Sequence, residues 1–145
     1  MRYIPKFLVA AVIVGAFAAP GSALADSAYH TERLEFEPVT ASETGSGMVV
    51  NIHPNGPVIG ALERYQLKNA QPNTEYDVWL VVGGGDFLRT ATILTDRHGN
   101  GHAKAGFSAA DLAPFSGAVL PVQWVLRTDD INDAYTTEVT IVTLD

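Results

Sequence analysis

The segment Thr95–His102, "TDRHGNGH", gathers two of the chain's four histidines beside an aspartate and an asparagine. Imidazole nitrogens and carboxylate oxygens are ligands that zinc and copper accept. Whether these groups act together depends on hairpin register. With "GNG" as the loop, His98 faces His102 with Cβ atoms about 5 Å apart, near enough to share an ion. With "RHG" as the loop, Asp96 faces Asn100, and His98 stands at the tip away from His102. The second register has the better turn chemistry. Asp96 in the first turn position can accept the backbone N–H two residues on, and Gly99 takes the left-handed position of a three-residue loop. A metal site then needs a third ligand, for which His53, just before "PNGP", is the candidate, with Asp96 as a further donor. An EF-type calcium loop does not fit, because its third and fifth positions would be His98 and Asn100 rather than acids.

Other constellations are weaker. The acids of "DDIND" (Asp129, Asp130 and Asp133) have the oxygen ligands calcium takes, but such a run is more often a solvated turn. "GGGD" at 83–86 lacks the Lys and Ser/Thr of a phosphate loop and opens no helix, so it reads as a flexible strand connection. The absence of cysteine excludes disulfides, thiolate catalysis and Cys-ligated metals. Ser42, Ser46 and Ser116 lie outside any G-x-S-x-G elbow. Two converging carboxylates, the requirement for glycoside hydrolysis, leave a hydrolase as a distant third reading. Trp79, opposite Tyr76 and Val78 in phase, is the candidate for an outward ligand-binding aromatic; with reversed parity it is a core residue. No cofactor is implied.

The elements that must carry these residues are strands. Alternation with period two runs from Arg33 onward, and helical periodicity is nearly absent. "RLEFEP" turns Leu34 and Phe36 inward. "GMVVNIHP" turns Met48, Val50 and Ile52 inward and Val49, Asn51 and His53 outward. "ERYQLKN" buries Tyr65 and Leu67. "EYDVWLVV" aligns Tyr76, Val78, Leu80 and Val82, and "PVQWVLRT" aligns Val122, Trp124 and Leu126. "AYTTEVTIVTL" groups Tyr135, Val139 and Ile141 opposite Glu138, Thr140 and Val142. On the arms of the opening motif, Ile93 shares the buried face with Ala103, Ala105 and Phe107. Turn clusters at 54–57, 70–74, 83–86 and 129–134 separate the runs. Ser108 and Asp111 form an S-x-x-D capping box for one short helical turn near 108–113, which Pro114 limits. About eight short strands without a βαβ signal predict an all-β, antiparallel β-sandwich.

The amino terminus predicts export. Arg2 and Lys6 precede an apolar run, Phe7–Ala19, which is too short for the roughly 20 residues of a membrane span. Pro20 and Gly21 break it, and Ala23-Leu24-Ala25 supplies small residues for cleavage near Ala25. Residues 1–25 thus read as a signal peptide, 26–32 as a flexible segment and 33–145 as a single domain. Removing Arg2 and Lys6 leaves seven basic side chains against sixteen acidic, a formal net charge of −9. That balance disfavours nucleic acid and anionic membrane surfaces, which need clustered Lys and Arg. No later run is long enough to span a membrane.

"LKNAQPNTEYDVWLVV", Leu67–Val82, resembles the x-P-x-T-x-Y-x-V stretch of fibronectin type III and related immunoglobulin-like domains. The resemblance implies an immunoglobulin-like sandwich in which the Tyr76 hydroxyl bonds the backbone a few residues upstream. Two positions depart from that pattern: Ala70 replaces the usual leucine, and about seventy residues follow Tyr76. The whole chain resembles small secreted bacterial proteins of unassigned role that combine such a segment with a T-D-x-x-G-N-G hairpin, which implies the fold and no activity. The functional expectation is a secreted or periplasmic non-enzymatic binding or interaction module, its partner an unidentified protein or extracellular ligand. The second reading is an exported metal-binding protein using His98 and His102 with His53 or Asp96.

Overall fold

Alternating residues become strands through most of the described residues. The computed structural model describes residues 29–54, 60–129 and 132–143. The expected leader, turn residues 55–57 and Asp130 lie outside them. The elements are β1 (Tyr29–Pro38), β2 (Ser46–Pro54), β3 (Ala61–Lys68), β4 (Glu75–Val82), β5 (Gly85–Leu94), β6 (Gly101–Phe107), α1 (Ala109–Leu112) running into a 3-10 turn (Ala113–Phe115), β7 (Val119–Arg127), β8 (Asp133–Thr136) and β9 (Thr140–Thr143). Ser108 caps α1, with Asp111 returning the bond to the Ser108 backbone, as the capping box requires. Every strand pairing is antiparallel. The path runs β5-β4-β7-β8-β1-β2-β3-β6, with β9 also beside β7.

The architecture is therefore all-β and antiparallel with one short helix, and its single path bends round until the two outermost strands approach. Those strands, β5 and β6, are joined by the 95–100 turn but pair with β4 and β3 respectively. The arms of the opening motif consequently do not form the expected ladder. Ile93 pairs with Tyr76, and Ala103 pairs with Tyr65. No ladder joins β5 to β6 among the described residues, so the barrel is not closed by strand pairing along that seam. Inside, Phe36, Tyr65, Tyr76, Trp124 and Tyr135 are fully buried with Leu67, Ile93 and Leu126. Each such side chain contributes roughly 1.5–3 kcal/mol of burial.

Two facing assignments are corrected by register. In β2, Val49 and Asn51 are the buried residues, and Met48, Val50 and Ile52 are only half-buried. Val49 pairs with Leu34 on one side and Tyr65 on the other. Opposed residues share a face, so the neighbours fix the phase. Asn51, two residues on from Val49, falls in the same inward phase and stands opposite Glu63. In the last run, Tyr135 is buried but Val139 and Ile141 are 60% and 61% exposed, and Val142 packs on the core instead. Leu126 pairs with Tyr135, whereas Val122 pairs with Thr140, a shift of one residue between β8 and β9. Such a shift turns every later side chain over. Thr137 spans the irregularity. Its N–H donates to Trp124 O at 3.0 Å, and its hydroxyl accepts the Trp124 N–H at 3.1 Å.

"GGGD" is a tight turn rather than a flexible connection. Val82 pairs with Gly85, leaving Gly83 and Gly84 as a two-residue loop with φ of +61° and +83°. Both residues occupy the left-handed region that a type I′ hairpin demands. Its Asp86 then reaches Arg127 through two bonds of 2.7 and 3.0 Å.

Candidate functional site

In the opening motif, Asp96 Oδ1 accepts the backbone N–H of His98 at 2.7 Å and of Asn100 at 2.9 Å. The Asp96 N–H donates to Asn100 O at 2.8 Å, so Arg97, His98 and Gly99 form the loop. The two backbone donors, Asn100 first, hold the Asp96 carboxyl below its usual range. Gly99 has φ of +76°, and a Cβ there would sit 2.0 Å from Ala70 O. The loop is bound against the β3–β4 turn by Ala70 N–H to Gly99 O. Thr95, 3% exposed, adds a hydroxyl bond to Gln71 O and accepts the Thr74 N–H.

This geometry separates the histidines. His98 is at the exposed tip, its Nε2 accepting from Arg97 Nε at 3.0 Å. His102 is exposed on β6, beside Leu94 and Asp96 in a surface depression with Gln66 and Lys68. His53 lies at the far end of β2. Ile52 pairs with Leu62, and Ala61 pairs with Phe107, so His53 stands five residues of strand from the level of His102, roughly 17 Å. Among the described residues no three His, Asp or Glu gather as a metal-binding group. In the acid run, Asp129 accepts the Asn132 N–H at 2.8 Å and Asp133 binds Arg127 Nε at 2.7 Å. Trp79 lies on the outer face, half-buried, with the Arg127 guanidinium 5.5 Å above its ring.

The chemistry collects instead at the other end of the barrel. A cavity of about 200 Å3 opens there, walled by Leu80, Val82, Phe107, Leu112, Val122 and Trp124. Phe87 from β5 and Phe115 from the 3-10 turn meet edge-to-face at its mouth, 5.0 Å between ring centres. Into this apolar space the inward phases of β2 and β3 carry two polar residues, Asn51 (4% exposed) and Glu63 (2% exposed). As a directly opposed pair, their Cβ atoms stand about 5 Å apart.

Glu63 is held from one side. The Tyr65 hydroxyl donates to its Oε2, and Thr90 Oγ1 lies 2.7 Å from the same phenol oxygen. Burial pushes the Glu63 carboxyl up to about 7, against smaller lowering effects of Tyr65 and Trp124. Burial, and then the facing carboxylate, hold the Tyr65 proton far above the ordinary phenol range, so Tyr65 remains a donor. Asn51 Oδ1 and Trp124 Nε1 are buried without a hydrogen-bond partner among the described residues. Trp124 Nε1 therefore influences Glu63 without completing a bond to it. An unpaired buried polar atom costs roughly 1–3 kcal/mol, and structures retain such atoms where something else engages them.

Glu63, Asn51 and Thr90 escape a reading that looks for histidines and acid runs. The signal for Glu63 was its phase: in "ERYQLKN" it stands two residues before Tyr65 and four before Leu67, on the inward side. Compared with known proteins, the chain matches no family model, no curated protein and no solved structure.

Proposed function

We propose that the protein is an exported, non-enzymatic binding protein whose ligand is a small, mainly apolar molecule held in the cavity at the Phe87–Phe115 end of the barrel. The observation that carries this reading is a pair of unpartnered buried polar atoms, Asn51 Oδ1 and Trp124 Nε1, in an enclosure that is apolar apart from them, Glu63 and the rim residue Asp111. Ligand sites are typically concave and apolar with a few convergent polar groups. The volume suits one ring with a short arm, since a 150 Å3 apolar cavity already takes benzene. The leader-like first twenty-five residues support export. An immunoglobulin-like character for the framework rests on the phrase around Tyr76.

Titration with toluene, followed through backbone amide NMR shifts, tests the site. Shifts should concentrate at Leu80, Phe107, Leu112, Leu120 and Val122 and leave residues 95–102 unmoved. Shifts scattered over the surface, or none at millimolar toluene, would refute the assignment.

A further inference from the structure

We propose that the ligand of this cavity is a small primary amine on an apolar or aromatic body, its ammonium held between Glu63 and Asn51. The proposal rests on the cavity being the ligand site and adds the chemical class. Of the polar atoms facing the space, the carboxylate of Glu63 and Oδ1 of Asn51 are acceptors, opposed across one rung of the β2–β3 ladder. An ammonium carries three donors and no acceptor, so a single nitrogen can bond both. A hydroxyl brings one proton to two acceptors. A carboxylate brings none, and its charge would repel Glu63.

The walls agree with a cation. Phe87, Phe107, Phe115 and Trp124 line the cavity, and aromatic faces attract ammonium groups within about 6 Å. Among the described residues no Lys, Arg or His lines it, so no internal base neutralises Glu63. Tyr65 already donates to the carboxylate, and Trp124 Nε1 is a further donor in the cavity wall. A formal net charge of −7 over the chain favours approach of cations.

The groups facing Glu63 also define a pH dependence. Tyr65 beside it stays protonated, and Asp111 at the rim, its carboxyl lowered by the Ser108 hydroxyl and N–H, stays ionised. Only Glu63, whose carboxyl burial raises to about 7, changes charge between pH 5.5 and 8. An alkylammonium, like lysine near 10.4, keeps its proton throughout.

Calorimetric titration of the full chain with 2-phenylethylamine, 2-phenylethanol and phenylacetate tests the class. At pH 8 the amine should bind at least tenfold tighter than the alcohol, with phenylacetate weakest. At pH 5.5 the amine should lose tenfold or more while the alcohol is unchanged. Glu63→Gln should erase the amine's advantage and retain alcohol binding. Because that change also alters the Tyr65 bond, Asn51→Leu provides a second variant, with the same selective loss expected. Equal binding of amine and alcohol at both pH values, or preference for the acid, would overturn the amine while leaving the cavity assignment intact. If toluene shifts the cavity residues but none of the three probes binds, the amine class likewise fails; if toluene also leaves them unmoved, the cavity assignment fails with it.

Discussion

Glu63 places a carboxylate in the buried interior, at the wall of the cavity, and its burial governs stability as well as ligand chemistry. Its carboxyl is raised from 4.5 to about 7 in the folded protein. Below pH 4.5 both folded and unfolded chains hold the proton. As pH rises from there the unfolded chain ionises first, so stability falls until Glu63 ionises in place near pH 7. The loss amounts to about 3 kcal/mol by pH 8. Asp86, Asp96 and Asp111, all lowered, act in the opposite direction and only in more acid solution. The Tm of the wild type should therefore drop by roughly 10 °C between pH 5 and 8, and Glu63→Gln should flatten that drop. Parallel profiles for the two proteins would show that Glu63 ionises normally. Residue roles were legible where backbone chemistry dictates them. Asp96 and Gly99 occupy their turn positions for reasons any hairpin would impose. Glu63 was not, because a charge on an inward phase is read as a surface residue unless its neighbours across the ladder are known.

At the scale of elements, phase was the weak point, and the cause is local. "MVVNI" offers apolar residues in both phases, so only the ladders to Leu34 and Tyr65 decide which face is buried. The last run obeys period two until Thr137, where one residue is added relative to β7. No sequence signature marks that bulge; Thr137 becomes special only through what it bonds. Replacing Thr137 by Val keeps the shape but removes the acceptor for the Trp124 N–H, and the orphaned buried donor should cost about 1–3 kcal/mol. Denaturant unfolding of Thr137→Val against Thr137→Ser checks this, since serine restores the hydroxyl. Equal destabilisation by both would mean that the methyl contact, and not the hydrogen bond, holds the bulge. Elements with self-contained chemistry were readable: Ser108 and Asp111 close their capping box with no help from the rest of the fold.

For the molecule as a whole, the sheet path distributes cohesion unevenly. β4 is paired on both sides by β5 and β7, and β7 by β4 together with β8 and β9. The start of β5, residues 85–89, and the segment 109–115 are mostly exposed and border the cavity. Amide exchange should thus be slowest in β4 and β7 and fastest at 85–89 and 109–115, with toluene slowing the latter two. Exchange that is uniform across the strands, or unchanged by toluene at 109–115, would contradict this division. The antiparallel all-β character was legible from alternation alone. The nearly closed path was not, since the turn joining β5 to β6 looks the same whether or not its arms pair beyond Asn100.

That turn has one more consequence. Its structural obligations fall on the side chains of Thr95, Asp96 and Asn100 and on the backbones of Gly99 and Asn100, while the side chains of Arg97 and His98 engage each other at the tip. The chain contains no cysteine. A thiol introduced at position 97 would be unique in the molecule and would lie at the end opposite the Phe87–Phe115 mouth. Protein coupled to a sensor surface through that thiol would stand with its cavity facing the solution.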